Sequence, residues 1–346
     1  MNINNLLQLA ADKKASDLHL LVGQPPVLRI DGRLAAADGL PVLTPTDLQS
    51  FVGVLLNKEQ ATRFNDKRDL DLGYQADGHR YRINFSYEQN NINIVARVID
   101  NKPPTLDEIG MPPVVRQLLD MPQGFILITG PTGCGKSTTL AAMINYINGS
   151  RRANIITLED PIEFVFTADQ SIIAQRQLGT DMISFASGLK HVLRQDPNVI
   201  MLGEMRDLES IAAAMTLAET GHLVLATLHT YSAAQTVDRI IDIFPPYQQG
   251  QIKSQLSNVL SAVISQRLLP RRSGGRLAAR EILINNEAVA NLIREGKVAQ
   301  IKTAVETGAN IGMISMDKHI KQLYQAGEIE REAALAQMEN SQMLDS

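Results

Sequence analysis

Along the first hundred residues the apolar positions change period several times. Ile3, Leu6, Leu7 and Ala10 recur at helical spacing, and Leu18-His19-Leu20-Leu21-Val22 then reads as a strand. Val27-Leu28-Arg29-Ile30 runs into Asp31-Gly32, a pair that favours a tight turn. Leu48, Phe51, Val52 and Leu55 fall on one face of a helix, with Thr44 or Thr46 placed to cap it. Leu70, Leu72 and Tyr74, then Tyr81, Ile83 and Phe85, alternate at period two around Asp77-Gly78. Ile92, Ile94, Ala96 and Val98 share a face of one more strand, with Arg97 on the other face. Residues 1–100 therefore predict a small α+β domain on an antiparallel sheet. Residues 101–113 contain Pro103, Pro104, Pro112 and Pro113, which predict a stiff, extended linker able to act as a hinge.

The pattern changes beyond residue 113. Short apolar runs at 125–129, 155–158, 199–202 and 223–227 alternate with helical stretches such as 184–194, where Phe185, Leu189, Val192 and Leu193 share a face. Residues 114–285 thus predict an α/β core, a parallel sheet covered by helices with its ligand at the carboxyl ends of the strands. From 286 to 346 the pattern is helical: Val289, Leu292 and Ile293; Val298, Ile301 and Val305; Met316, Ile320, Leu323 and Tyr324. These runs stop near Gly296, Gly308 and Gly327.

Composition narrows the classes. Apolar residues make up 44 % of the 346 positions, enough for two or three packed domains. The formal net charge of −4 does not suggest a protein living on phosphate backbones, although a net figure leaves a local basic patch open, and no nucleic-acid partner is expected. A single cysteine, Cys134, excludes an intrachain disulfide and a cysteine zinc site. The start of the chain lacks a signal-peptide pattern, and no apolar run approaches the roughly 18 residues of a membrane span. A soluble, cytoplasmic chain is the expectation.

The chemistry concentrates at the ends of the predicted strands. Gly130-Pro131-Thr132-Gly133-Cys134-Gly135-Lys136-Ser137 fits G-x-x-x-x-G-K-[ST] between a strand and a helical pattern that opens at Ser137-Thr138. Backbone N–H groups and the helix dipole face a phosphate there, Lys136 reaches the β- and γ-phosphates, and the Ser137 hydroxyl ligates Mg²⁺. The 155–158 strand runs out into Glu159, Asp160 and Glu163, and the 199–202 strand into Gly203-Glu204. A carboxylate on a strand beside the phosphate loop is needed to hold the Mg²⁺ water shell and orient an attacking water, and Glu204 stands in that position. His222 opens the 223–227 strand, a structural or communicating position. His229 follows the strand's carboxyl end, where it would contact the γ-phosphate or the water.

In order, the phosphate loop, Ile-Thr-Leu-Glu-Asp-Pro-Ile-Glu at 156–163, Leu-Gly-Glu-Met-Arg-Asp at 202–207 and Thr-Gly-His-Leu-Val-Leu-Ala-Thr-Leu-His-Thr at 220–230 resemble the secretion ATPase superfamily. Its members drive type II secretion and type IV pili. The motifs at 16–20 and 27–32 also resemble the start of that family's N-terminal domain, so the likeness spans nearly the whole chain. It implies a RecA-like P-loop domain, a smaller PAS-like N-terminal domain and a helical C-terminal region. It also implies ATP and Mg²⁺ as ligands, a homohexamer, and attachment to an inner-membrane platform protein at the cytoplasmic face of the membrane. Carried over by position, Glu204 is the principal catalytic carboxylate, Glu163 a second acid near metal and water, and Lys136 and Ser137 the phosphate and Mg²⁺ ligands. Arg80, Arg82 and Arg97 match the arginine-bearing strands that reach nucleotide in the ring.

Residues 288–295 (Ala-Val-Ala-Asn-Leu-Ile-Arg-Glu) are similar to an element that the retraction-motor branch of the family needs, with Ala290 where that element has arginine. The lone cysteine and the start of the chain at the N-terminal domain agree with that branch, because assembly and secretion motors usually carry a longer extension and four cysteines. Gln177 stands where the family often has an acid. An assembly or secretion motor, a nucleic-acid translocase with a RecA-like core, and a weakly hydrolysing regulatory partner are the competing readings.

Overall fold

The computed structural model describes residues 1–30, 32–99 and 102–344. Asp31 of the expected turn, Asp100 and Asn101 lie outside them. The chain forms two compact units, one of residues 1–102 with 161–166, the other of residues 103–160 with 167–346.

In the first unit, α1 (Ile3–Asp12) leads to β1 (Asp17–Leu20), β2 (Val27–Ile30) and β3 (Arg33–Ala36). Next come α2 (Pro45–Leu55), α3 (Lys58–Lys67), β4 (Asp69–Ala76), β5 (His79–Glu88) and β6 (Asn91–Ile99). The strands pair antiparallel in the order β3-β2-β1-β6-β5-β4. Leu18, Leu20, Tyr81, Ile83, Phe85, Ile94 and Ala96 are buried in one core with Leu6, Leu7, Phe51 and Phe64 of the helices. Thr44, rather than Thr46, caps α2 in a reciprocal box with Asp47. The strand expected at 18–22 ends at Leu20, because the chain turns at Gly23, whose φ is +84°.

The second unit opens with a turn where an extended linker was expected. Thr105 and Glu108 bond each other through backbone and side chain, and Leu106 and Met111 are buried, so the segment folds on itself soon after Pro103-Pro104. Then follow α4 (Val114–Leu119), β7 (Gly124–Thr129), α5 (Lys136–Ser150), β8 (Asn154–Glu159), β9 (Ile172–Gln177), α6 (Phe185–Val192) and β10 (Val199–Leu202). After them come α7 (Leu208–Glu219), β11 (Leu223–Leu228), α8 (Ala233–Asp242), α9 (Pro246–Val259), β12 (Leu260–Pro270) and β13 (Arg276–Ile284). The sheet runs β13-β12-β7-β11-β10-β8-β9. All its pairs are parallel except β12 with β13. The expected parallel sheet carries one antiparallel edge strand, where Gly274 and Gly275, both at positive φ, close a hairpin. The helices α10 (Glu287–Glu295), α11 (Ile301–Thr307), α12 (Met316–Gln325) and α13 (Arg331–Leu335) complete the chain. Val289, Ile293, Ile301 and Val305 join the main core, and Met316, Ile320 and Ala334 pack on Leu269 and Ala279.

Candidate active site

Strands β7, β11, β10 and β8 are neighbours in that order and run parallel, so their carboxyl ends form one edge with about 4.8 Å between strands. The phosphate loop follows β7, His229 follows β11, Glu204 follows β10, and Glu159 closes β8. Residues spread over a hundred positions are thereby ranged side by side, at the edge where open α/β sheets bind ligands.

The loop is shaped for an anion. Helix α5 begins at Gly135, which sits at φ +88° and supplies no side-chain cap. By contrast, α6, α7 and α8 each start with a Ser or Asp side chain accepting a backbone N–H. Without a side-chain cap, the start of α5 presents the positive end of the helix dipole to a ligand. Lys136 Nζ donates to the carbonyls of Gly130 and Pro131, at 2.8 and 3.0 Å, which folds its charge over the loop. Thr132 and Gly133 are exposed at the tip, Pro131, Gly135, Ser137 and Thr138 are partly covered, and Gly130 and Cys134 are buried. Burial pushes the Cys134 thiol up, against the opposing pull of the Lys136 charge and local hydrogen bonds, so the net shift favours the neutral thiol.

Glu204 is well covered, and it is bound on both sides. Arg206 forms an ion pair with Oε1, and His229 Nε2 lies 3.1 Å from Oε2. Burial raises the carboxyl's pKa, but the hydrogen bonds and charges of Arg206 and His229 outweigh it, and the net shift is downward. The group is therefore an ionised acceptor, able to orient a water or take its proton. Glu159, one of the three carboxylates read where the 155–158 strand runs out, is buried and accepts from Thr157 Oγ1 at 2.6 Å and Gln175 Nε2 at 3.0 Å. His222 lies at the opposite end of β11 from His229, and its Nδ1 is 2.9 Å from the Leu217 carbonyl, a structural bond. Gln177 is buried at the end of β9, and its N–H donates to Asp181 Oδ2.

The structure assembles the loop, Glu204 and His229 within the second unit. Glu163 belongs to the 161–166 segment counted with the first unit. Arg80, Arg82 and Arg97 share the face of the first unit's sheet opposite its core: Arg80 and Arg82 alternate with buried Tyr81 and Ile83 on β5, and Arg97 pairs with Arg82 across β6. Two like charges facing each other need counterions. Arg97 Nε lies 2.9 Å from Asp17 Oδ1, and Arg82 Nε lies 3.8 Å from Asp71 Oδ1.

Two contributors were not foreseen. Arg206 is the ion-pair partner of Glu204, and its place two residues on, in the irregular chain after a strand, was the available signal. Gln266 on β12 is buried; its Nε2 donates to the Cys134 carbonyl at 2.8 Å and its Oε1 accepts from Thr139 Oγ1 at 2.9 Å, which staples the loop and α5 to the sheet. No motif marks it.

These features define a P-loop nucleotide-binding protein with a RecA-like sheet. Residues 2–344 match the family described as Type II/IV secretion system protein, and the chain belongs to that family. The type IV pilus retraction ATPase PilT of Pseudomonas aeruginosa is 44 % identical over 335 residues, covering 96 % of this chain and 97 % of the relative. A twitching motility protein of Neisseria gonorrhoeae is 43 % identical over 321 residues, covering 92 % of this chain and 86 % of that protein. A crystal structure of the pilus retraction motor PilT with bound ADP superposes with a TM-score of 0.93 at 41 % identity. It covers all of this chain and 99 % of that one.

Proposed function

We propose that the chain hydrolyses ATP to power retraction of a type IV pilus, working as a homohexameric ring on a platform protein at the cytoplasmic face of the inner membrane. The observation that carries the enzymatic part is the ionised Glu204, held by His229 one strand over, on the same sheet edge as the glycine-led start of α5 and Lys136. The likeness to retraction ATPases over nearly the whole chain supports the direction of work. No helix among the described residues is long and apolar enough to cross a membrane, which suits a motor that grips a membrane partner from outside the bilayer.

In this reading the β- and γ-phosphates lie on the amides of the loop, and Lys136 turns from the Gly130 and Pro131 carbonyls to meet them. The nucleoside end occupies a cavity of about 620 Å³ that begins at Cys134, Gly135 and Thr138 and continues over Leu268 and Leu277. Mg²⁺ would be held by the Ser137 hydroxyl and, through water, by Glu204, and would offset phosphate charge as the γ-phosphoryl group leaves ADP; Glu163 is a second acid by family resemblance alone. Glu204 orients the attacking water and accepts its proton as the new P–O bond forms and the bond to ADP breaks. Its Arg206 pair has to loosen for that. His229 holds the second carboxylate oxygen meanwhile. Arg80, Arg82 and Arg97 are, by family resemblance, charges offered to nucleotide in the assembled ring.

Glu204→Gln keeps the shape and the hydrogen bond but removes the base. Steady-state hydrolysis should fall by about 10²-fold or more, with ATP binding retained; unchanged turnover would remove Glu204 from this role. Deleting the gene should leave cells with accumulated surface pili and no twitching, and bald cells would refute retraction.

A further inference from the structure

Arg280, on β13, is the largest fully buried side chain of the described residues, only 1 % exposed. No carboxylate pairs with it among the described residues. Its guanidinium instead donates to two backbone carbonyls of one turn, Nη2 to Ile109 O at 2.8 Å and Nη1 to Gly110 O at 3.0 Å, and its Nε has no hydrogen-bond partner among the described residues. The loss of hydration lowers its pKa only to about 10, so it stays charged at neutral pH. A buried cation without a counterion is costly, and an apolar side chain of similar volume would be the more stable occupant. Its own backbone is pinned as well: Arg280 N–H donates to His319 Nδ1 at 2.9 Å, an acceptor kept neutral by burial.

The turn that Arg280 grips and Arg280 itself line the 620 Å³ cavity, together with Cys134, Gly135 and Thr138 of the phosphate loop. Gly110 takes φ +60° there, with its N–H on the Asp107 carbonyl. A planar fork of donors suits two successive carbonyls, and it fixes the wall's distance from the sheet more tightly than apolar contact could.

We infer that Arg280 is a positioning residue for the nucleoside half of the nucleotide: it holds the 107–110 turn at the spacing that the base and ribose require. The inference rests on the reading of this cavity as the nucleoside end of the ATP site. The turn, and not the charge, is the agent, so phosphate binding should be indifferent to it.

The test compares Kd for ATP, ADP and inorganic tripolyphosphate on the full-length protein by calorimetry. Arg280→Met should bind ATP and ADP about 10-fold more weakly and tripolyphosphate within twofold of normal, and raise KM with kcat nearly unchanged. Gly110→Ala adds a Cβ with nothing within 4 Å, so it acts through backbone strain alone. It should give the same nucleoside-selective loss, about 3-fold, and carries the test by itself if the methionine variant does not fold. Equal losses for ATP and tripolyphosphate, or unchanged ATP affinity, would overturn the positioning role. Failure of the underlying reading looks different: the unaltered protein would then bind tripolyphosphate as tightly as ATP.

Discussion

Replacing Gln266 by Met tests whether the phosphate loop is held from the sheet side. The substitution keeps the length and most of the volume of the side chain, so it opens little cavity. It removes the 2.8 Å bond to the Cys134 carbonyl and the 2.9 Å bond from Thr139 Oγ1, both in a buried setting. An unsatisfied buried carbonyl costs about 1–3 kcal/mol, and the Thr139 hydroxyl loses about 1 kcal/mol less whatever it recovers by turning to its own helix. A loss of about 3 kcal/mol follows, which for a unit of this size lowers Tm by roughly 6–12 °C. Differential scanning calorimetry without nucleotide reads that number directly. The loop also loses its anchor at Cys134, so ATP affinity should drop about 10-fold, since small misplacements of binding groups are costly. A destabilisation under about 1 kcal/mol with unchanged ATP affinity would refute the staple.

Gly130→Ala should abolish measurable ATP binding in calorimetry: φ is +142°, and the new Cβ would stand 2.3 Å from the Gln266 carbonyl and 2.6 Å from Cys134 Sγ, so the loop has to shift by roughly 1 Å; retained binding would show that the loop is slack. The same packing predicts that Cys134 in the native protein reacts with N-ethylmaleimide more than about 10-fold more slowly than in urea, followed by mass spectrometry, because the thiol is buried and kept neutral. Fast native labelling would contradict the closed loop.

Much of the fold could be read from local pattern, and its failures are physical. α1 and β5 carry strong periodicity because one face is buried, and the strands at 125–129 and 223–227 read as short continuous apolar runs because both faces are. α3 escaped notice because Phe64 is its one buried residue; Asn57 and Gln60 hold its start by a capping box and packing contributes little. The hairpin of β12 and β13 was hidden because β12 is buried nearly throughout and reads as neither period. The turn at 105–111 was obscured by the flanking prolines, whose stiffness says nothing of how Leu106 and Met111 are buried.

For the site, the sequence alone marked the phosphate loop, Glu204 and His229 as candidates, because backbone amides, a lysine and a strand-end acid have local signatures. Tertiary structure alone decided which residues those groups meet. The order β7-β11-β10-β8 puts His229 against Glu204, and β12 brings Gln266 under Cys134 from 132 positions away. Arg280 reaches the carbonyls of Ile109 and Gly110 from 170 positions and more along the chain. Such pairings come from the spatial order of strands, which is set by packing of the whole sheet and leaves no mark on the residues that end up side by side.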